Sequence, residues 1–212
     1  MAQTIAIIGT GNVGGNLGVN LARHGYAVVF GTRPGSDASA LLRRCGGNAR
    51  AAAVPEAAAQ AAVVFLAVPA AAAVAAARDA GRLDGKVVVD CTNPVEWHDG
   101  PVLVPPPEGS VAAALAKAVP GARVVKGFNT FGAETHLDPD IGGVPAELLL
   151  ASDDGGAVES VGTIATRCGF APIYAGPLRN AALLEAVAVL WIHLATKGGQ
   201  GRDITFRIAR RP

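Results

Sequence analysis

Short apolar runs alternate with longer stretches in which apolar residues recur at helical spacing. The runs lie at residues 4–8, 27–30, 63–68, 86–90 and 123–126 and are rich in valine and isoleucine. Such nearly continuous apolar character is typical of buried parallel strands, because helices cover both faces of a parallel sheet. The alternation of strands and helices therefore predicts an α/β fold with a doubly wound parallel sheet.

Two helices are predicted within the first 45 residues. Residues 13–23 carry apolar side chains at helical spacing, and Gly25 follows directly as a C-cap. A second helix is predicted over about 36–45, with Ser36 or Asp37 as its N-cap.

An uncharged, alanine-rich stretch covers residues 57–77 and is long enough to span a bilayer. It contains Gln60 and Pro69, however, and alanine is only weakly hydrophobic. We interpret it as a buried strand at 63–67 followed by an alanine-rich helix. The start of the chain lacks a cationic region, and its first apolar run is too short for a signal peptide. We therefore expect no membrane association.

The pattern continues in the last third of the chain. A strand is predicted near 147–151, a helix around 157–167 and a strand near 172–174. We place a domain boundary near residue 145, which gives a main domain over 1–145 and a small C-terminal α/β appendage over 146–212.

Two segments do not fit the alternation. Residues 97–109 contain Pro101 and the run Pro105-Pro106-Pro107, and we predict a long surface loop. Such a loop inside a compact domain is more often functional than idle. Residues 204–208 alternate weakly, as an edge strand would.

A glycine-rich loop follows the first strand and opens the first helix; it reads Gly9-Thr10-Gly11-Asn12-Val13-Gly14. In this context Gly9 permits the tight turn, Gly11 lets the backbone approach a pyrophosphate, and Gly14 lets helix and strand pack closely. The anion then rests on free N–H groups at the helix N-terminus. The loop predicts a Rossmann-type dinucleotide site, the alternative being a glycine-rich turn that binds no ligand.

The end of the second strand should select the cofactor. NAD enzymes place an acid there for the ribose 2′-hydroxyl, whereas NADP enzymes place a cation. The chain reads Gly31-Thr32-Arg33-Pro34-Gly35-Ser36, with no acid before Asp37. Arg33 can contact a 2′-phosphate, with the hydroxyls of Thr32 and Ser36 donating beside it. The sequence thus favours NADP(H), and a solvated surface arginine is the alternative.

Three further strand ends carry polar or proline signals. Val68-Pro69, Asn93 and Asn129 each follow a predicted strand. Because ligands of open α/β sheets bind outside the carboxyl ends of the strands, these residues should line the ribose and nicotinamide side of the cleft. For the two asparagines an Asx-turn that only shapes the loop is an equal alternative.

Composition and charge restrict the function further. The formal net charge is +1, which gives no electrostatic case for nucleic acid or an anionic membrane surface. The three cysteines, Cys45, Cys91 and Cys168, are scattered, which favours buried thiols in a reducing cytoplasm over a disulfide framework. The four histidines show no metal-ligand spacing, so no metal site is predicted.

The catalytic residues cannot be assigned from the sequence. His136 follows a predicted strand and could approach the nicotinamide, but a solvated loop histidine is the more frequent case. We identify no general acid or base. That absence agrees with hydride transfer between two redox cofactors, which depends on positioning more than on a proton donor.

Several motifs, in order along nearly the whole chain, resemble those of the NADPH-dependent reductases of the deazaflavin coenzyme F420. They are Ile7–Gly14, Gly31–Arg33, Asp90–Pro94, Val124–Thr130, Ala175–Ala181 and Leu190–Ile192. Similar domains form the reductase part of membrane metalloreductases, in which the hydride passes to a flavin.

The resemblance implies an NADP-dependent oxidoreductase that transfers a hydride between NADP(H) and a deazaflavin (F420) or flavin. By similarity Thr10, Thr32 and Arg33 would hold NADP, while Asn129 and the turn 176–178 would face the acceptor ring. Apolar residues at helical spacing give a helix at 181–196 a wide apolar face, which could pack on the chain's own sheet. The resemblance implies a homodimer instead, with an acceptor-site and dimerisation role for the appendage. Two alternatives remain: a reductase or dehydrogenase of a small imine or hydroxyacid, and a non-catalytic NADP(H)-binding module.

Overall fold

A computed structural model describes residues 2–211, which contain ten strands and seven α-helices. The strands are β1 (Thr4–Ile8), β2 (Ala27–Thr32), β3 (Ala49–Ala53), β4 (Val63–Leu66), β5 (Val87–Asp90), β6 (Val95–Trp97), β7 (Pro101–Leu103), β8 (Arg123–Lys126), β9 (Glu147–Leu150) and β10 (Ala171–Tyr174). The helices are α1 (Asn12–Arg23), α2 (Ser39–Arg44), α3 (Val54–Ala59), α4 (Ala73–Asp79), α5 (Val111–Ala118), α6 (Gly155–Arg167) and α7 (Ala181–Thr196).

Six parallel strands form the central sheet in the order β3-β2-β1-β4-β5-β8. Strands β2 and β3 extend the sheet to one side of β1, whereas β4, β5 and β8 extend it to the other side. The order of the strands therefore reverses between β1 and β4, and a ligand cleft is expected at the carboxyl ends of these two strands. In the register of the sheet, Ile7 of β1 lies between Phe30 of β2 and Phe65 of β4. The predicted Rossmann-type doubly wound class is confirmed.

Each face of the sheet has its own apolar core. The core on one face contains large side chains such as Leu17, Phe30 and Phe65 beneath α1, α2 and α6. The core on the other face is built largely of small residues, among them Ala73 and Ala77 of α4. The alanine-rich stretch 57–77 therefore consists of the end of α3, strand β4 and the start of α4, as the strand-and-helix interpretation predicted.

Two helix ends differ in detail from their predicted positions. The C-cap of α1 is His24, and Gly25 follows it with φ +83°, so that its N–H and that of Tyr26 satisfy the last carbonyls of the helix. The helix predicted from residue 36 starts at Ser39 after N-cap Ala38, so neither Ser36 nor Asp37 is the cap. The physical reason is a turn at Gly35 (φ +78°), in which the N–H of Ser36 donates to Arg33 O.

The predicted long loop at 97–109 is wrong for its first part. Residues 95–103 form a two-stranded antiparallel hairpin, β6 and β7, in which Trp97 lies opposite Pro101. Asp99 (φ 51°) and Gly100 (φ 152°) make the turn that closes it. Pro101 is tolerated because each strand of a two-stranded ribbon is an edge strand.

The predicted edge strand at 204–208 is also wrong, since these residues pair with no strand in the described part of the chain. Side chains hold the segment in place. Trp191 Nε1 donates to Ile204 O at 2.8 Å, and the N–H of Ile208 donates to Glu147 Oε2 at 2.7 Å.

The C-terminal part consists of a separate two-stranded sheet, β9 and β10, with helices α6 and α7. Strands β9 and β10 are parallel, and the N–H groups of Lys126 and Ala151 each donate to the other residue's carbonyl, which joins this pair to the end of β8. Helix α7 then returns beside β7 and α5. The boundary predicted near residue 145 falls in the loop before β9 and stays a prediction.

One helical stretch in the described residues, Leu178–Thr196, is long and apolar enough to cross a membrane by length and composition alone. A third of its most apolar window (33%) is buried inside the protein, and core helices of soluble proteins pass the same test.

The cysteines are all buried and free, and burial raises the pKa of the Cys168 thiol to about 12. The prediction of buried thiols without a disulfide framework is confirmed for these three cysteines.

Candidate functional site

The loop between β1 and α1 is packed so closely that it requires glycine at two positions. Gly9 has φ +112°, and a Cβ built there would lie 2.3 Å from Ala67 O at the end of β4. A Cβ at Gly14 would lie 2.1 Å from Gly9 O. These contacts hold the loop against the carboxyl ends of the two central strands.

The third glycine of the loop faces open space instead. Gly11 is the N-cap of α1 in extended backbone, and a Cβ built there would meet nothing within 4 Å. The first intrahelical bond runs from Gly15 N–H to Gly11 O, so the N–H groups of Asn12, Val13 and Gly14 have no helical acceptor. An open helix N-terminus of this kind fits the pyrophosphate of a dinucleotide.

Alanine substitutions at Gly11 and Gly14 should separate binding from folding. Gly11→Ala is expected to leave the free energy of unfolding nearly unchanged but to weaken NADPH binding by about tenfold or more, because the methyl group occupies pyrophosphate space. Gly14→Ala is expected to cost about 1–3 kcal/mol of stability by overpacking against Gly9 O. NADPH titrations and urea unfolding measure the two effects. Wild-type NADPH affinity of the Gly11→Ala protein would refute pyrophosphate binding at the N-terminus of α1.

A cleft of about 630 Å³ extends from this loop across the ends of β1, β2 and β4. Several predicted site residues line it together: Gly9, Thr10, Gly11, Thr32, Arg33, Ser36, Val68 and Pro69. The sequence did not predict the opposite wall, which Val54 and residues of α4 (Ala75, Ala76 and Asp79) supply. The alanine side chains of this wall are small and leave the cleft open.

Arg33 lies at the end of the cleft nearest β2. It is exposed and makes no ion pair with any described residue, so its guanidinium is available to an anion. Thr32 Oγ1 donates to Ala52 O at 3.3 Å, which leaves its lone pairs free but engages its proton. The cleft thus combines free N–H groups for a pyrophosphate, at the start of α1, with a cation at the end of β2. Both features fit NADP(H).

Asn93 and Asn129 lie together beyond the ends of β5 and β8. Asn93 Nδ2 donates to Asn129 O at 2.8 Å, and Asn129 Nδ2 donates to Asn93 Oδ1 at 2.9 Å and to Leu184 O of α7 at 3.1 Å. Asn129 is only 4% exposed, and its Oδ1 is buried without a partner. The pair thus fixes the two strand ends to α7. Neither residue lines the cleft that holds Arg33.

A buried ionic cluster missed by the sequence reasoning lies in the same region. Lys126 Nζ donates to Asp90 Oδ2 at 2.9 Å and to Glu185 Oε1 at 3.0 Å, and it also donates to Thr92 O. All three charged side chains are 0% exposed. Glu185 Oε1 also accepts from Val111 N–H at the start of α5. The cluster therefore joins β5, β8, α5 and α7 behind the two asparagines.

Two oxygens of this region have no partner among the described residues: Glu185 Oε2 and Thr92 Oγ1 are both buried. Burial raises the pKa of Glu185, and Lys126 partly opposes that shift. A proton on Glu185 would make the cluster neutral, since Asp90 and Lys126 then balance each other.

This raised pKa predicts a specific pH dependence. The ordinary pKa of a glutamate is 4.5, and the pKa of Glu185 in the folded protein is higher. At a pH between these two values, the folded protein keeps a proton on Glu185 that the unfolded chain has released. The free energy of unfolding should therefore fall as the pH rises from 4.5 through the folded pKa. Glu185→Gln cannot ionise and should lack this fall. Urea unfolding of both proteins from pH 4.5 upward measures the difference; parallel profiles would show that Glu185 does not titrate there.

His136 is neither at the nicotinamide side nor solvated, so the predicted loop histidine is wrong. It is fully buried in a 3₁₀ turn, with Nε2 2.9 Å from Phe128 O and Nδ1 3.1 Å from Gly132 O. Burial lowers its pKa, although the neighbouring carbonyls oppose the shift. The physical reason is that Phe131 and Phe170 close the core around this turn.

Comparison with known proteins identifies relatives of the chain. The family described as NADP oxidoreductase, coenzyme F420-dependent, matches residues 4–94. A protein of Arthrobacter sp. FB24 with a solved crystal structure is described as an F420-dependent NADP-reductase, and its sequence is 30% identical to this chain. The two structures superpose with a TM-score of 0.86 over 97% of this chain and 99% of that one. Metalloreductase STEAP3 of Rattus norvegicus is 29% identical over 191 residues, 88% of this chain.

The chain spans about a third (36%) of that metalloreductase. A reductive aminase from Aspergillus terreus, solved with NADPH and ethyl levulinate, is 20% identical with a TM-score of 0.69, covering 93% of this chain and 64% of that one. At that identity the likeness shows the shared fold alone.

Proposed function

Because this chain belongs to the family of coenzyme F420-dependent NADP oxidoreductases, we propose that it transfers a hydride between NADP(H) and a deazaflavin (F420) or a flavin. It is an NADP-dependent oxidoreductase, and the acceptor is the proposed part. The observation that carries the proposal is that one cleft is lined both by Gly11, at the open N-terminus of α1, and by the exposed Arg33, which makes no ion pair with a described residue.

The predicted site residues take distinct roles in this proposal. N–H groups of Asn12, Val13 and Gly14, at the start of α1, hold the pyrophosphate, and Arg33 holds the 2′-phosphate with the Ser36 hydroxyl beside it, whereas the predicted donation from Thr32 is directed to Ala52 O instead. The other predicted cofactor-binding residues lie in the loop between β1 and α1 or just after the strands β4, β5 and β8. They are Gly9, Thr10, Gly11, Val68, Pro69, Asn93 and Asn129. NADPH supplies the hydride from C4 of its nicotinamide.

The nicotinamide end is assigned to the strand ends beyond Pro69. Asn93 supports this assignment, because it is half-buried and its bonds with Asn129 leave one amide hydrogen and one lone pair for a carboxamide. Asn129 is buried and donates to Leu184 O, so it holds Asn93 in place. Since hydride transfer requires no proton donor, rigid placement is the contribution that these residues make.

The acceptor is tested by following NADPH oxidation with F420, FMN and FAD in parallel with a cyclic imine and a 2-hydroxyacid. We expect turnover with a deazaflavin or flavin and none with the two small substrates. Turnover of the imine or hydroxyacid alone would contradict the proposal. NADPH binding without turnover of any compound would favour a non-catalytic binding module.

We also propose a homodimer in which the appendage over 146–212 contributes both to the acceptor site and to the interface. Helix α7 supports it, because Leu183 and Leu190 are 62% and 50% exposed on one side of an apolar helix. Leu190→Lys is expected to convert a dimer into a monomer in sedimentation experiments. A wild-type protein that sediments as a monomer at micromolar concentration would refute it.

We propose a cytoplasmic location, which the three free cysteines support. Cell fractionation tests it, and recovery of the protein in a washed membrane fraction would contradict it.

A further inference from the structure

The buried ionic cluster contains one more acid than base. Asp90, Lys126 and Glu185 are all fully buried, and the cluster carries one net negative charge when both carboxyl groups are ionised. No other charged side chain of the described residues forms an ion pair with these three. A charge at this depth is screened far less than a charge at the surface. The cluster is therefore either neutral or an unscreened anion, according to whether one carboxyl group keeps its proton.

Glu185 is the member of the cluster whose charge can change. Both oxygens of Asp90 have a donor, since Lys126 donates to one and the N–H of Thr92 to the other. Glu185 Oε1 accepts from Lys126 and from the N–H of Val111, whereas its Oε2 is buried without a partner among the described residues. Burial raises the pKa of Glu185, and the negative charge of Asp90 adds to that shift while Lys126 opposes it.

The cluster is joined by hydrogen bonds to the residues assigned to the nicotinamide. Lys126 Nζ donates to Thr92 O, and Thr92 directly precedes Asn93 in the chain. Asn129 Nδ2 donates both to Asn93 Oδ1 and to the carbonyl of the residue before Glu185. Thr92 and Asn129 are themselves buried. A charge on Glu185 therefore acts on a group bound at Asn93 through buried protein rather than through solvent.

The nicotinamide ring is the part of the cofactor whose charge changes in the reaction. The ring is a cation in NADP⁺ and neutral in NADPH, because the hydride brings two electrons and one proton to C4. An ionised carboxylate behind the ring attracts the oxidised form and affects the reduced form little. Binding equilibria are reciprocal, so NADP⁺ in turn favours release of the proton of Glu185 to solvent.

We propose that the charge of Glu185 sets the relative affinity of the protein for NADP⁺ and NADPH. With Glu185 ionised, NADP⁺ gains affinity relative to NADPH, and with Glu185 protonated that gain is absent. Tighter binding of the oxidised form makes bound NADPH the stronger hydride donor as the pH rises. The inference rests on the proposed function, because it requires the nicotinamide at Asn93. Helix α7 of the appendage would thereby contribute a charge to the redox site.

The ratio of the two dissociation constants, measured against pH by calorimetric titration, tests this inference. We expect the dissociation constant of NADP⁺ to fall by roughly fivefold relative to that of NADPH as the pH rises through the folded pKa of Glu185. Titration of the 2′-phosphate affects both nucleotides alike and cancels in the ratio. Titrations in two buffers of different ionisation enthalpy should also detect release of a proton with NADP⁺ and not with NADPH.

Three variants distinguish the charge of Glu185 from its structural role. Glu185→Gln keeps an oxygen for Lys126 and Val111 but cannot ionise, so its ratio should not change with pH. Asp90→Asn removes the repulsion between the two carboxylates, so the change should move to lower pH. Glu159→Gln, at an exposed position of α6, is the matched control and should keep the wild-type profile.

The outcomes separate this inference from the proposed function. A wild-type ratio that is constant with pH would overturn the inference alone, and so would a wild-type profile in Glu185→Gln. An unshifted profile in Asp90→Asn would do the same, which keeps the test decisive where Glu185→Gln fails to fold. A wild-type protein that binds neither NADP⁺ nor NADPH would overturn the proposed function together with the inference.

Discussion

Lys126→Met is expected to lower the free energy of unfolding by about 3–5 kcal/mol, the range measured when one partner of a buried ion pair is removed. Lys126 is 0% exposed and donates to Asp90 and Glu185, which are equally buried. Without the ammonium, Asp90 has no cation beside it and keeps only the N–H of Thr92 as a donor to its Oδ1. In a chain of this size the loss corresponds to a fall in Tm of about 6–20 °C.

The same substitution at Lys117 provides a matched control. Lys117 Nζ pairs with Glu108 Oε1 at 2.9 Å, but the lysine side chain is exposed to solvent, so Lys117→Met should leave Tm unchanged. Both variants are compared by urea unfolding and thermal scans. Equal stability of the Lys126→Met and wild-type proteins would mean that Asp90 is neutral or hydrated in solution, against the buried ion pair with Lys126 described above.

Arg33→Glu is expected to weaken NADPH binding by about 100-fold while changing NADH binding by about threefold or less. The substitution removes charge-assisted bonds to a 2′-phosphate and places a carboxylate beside it. NADH has no 2′-phosphate, and a glutamate at the β2 end can accept from its ribose hydroxyl. Dissociation constants for both nucleotides come from fluorescence titration.

Arg82→Glu serves as the control for net charge. Arg82 pairs with Asp84 before β5, at the amino-terminal edge of the sheet and away from the cleft, and its side chain is almost fully exposed. Reversing it should alter neither nucleotide's affinity. Equal losses of NADPH and NADH in Arg33→Glu would refute the 2′-phosphate contact, because such a result indicates a general defect in the cleft.

The fold and the phosphate loop could be predicted because their causes are local in sequence. Each buried strand is a contiguous apolar run, and the requirement for glycine at Gly9 and Gly14 comes from contacts at the end of β1 and β4. Strand β3 was missed because it lies at the sheet edge and its sequence, Ala-Arg-Ala-Ala-Ala, has low β propensity.

The ionic cluster could not be derived from spacing, because Lys126 is 36 residues from Asp90 and 59 from Glu185. A signal was nevertheless present: Asp90 and Lys126 end two apolar strands, and Glu185 interrupts an apolar helix. Charges at such positions are rarely buried unless paired, and that rule would have brought the three together. The hairpin at 95–103 was missed because proline counts against a strand except at an edge.

The most direct test of the proposed activity is a single anaerobic turnover with NADPH deuterated at C4 and F420 as the acceptor. We predict that the deazaflavin is reduced as NADPH is consumed and that deuterium is recovered at its C5, since the hydride passes between the two rings without exchange with water. Consumption of NADPH with the deazaflavin and flavins left oxidised, or deuterium released to solvent, would contradict it.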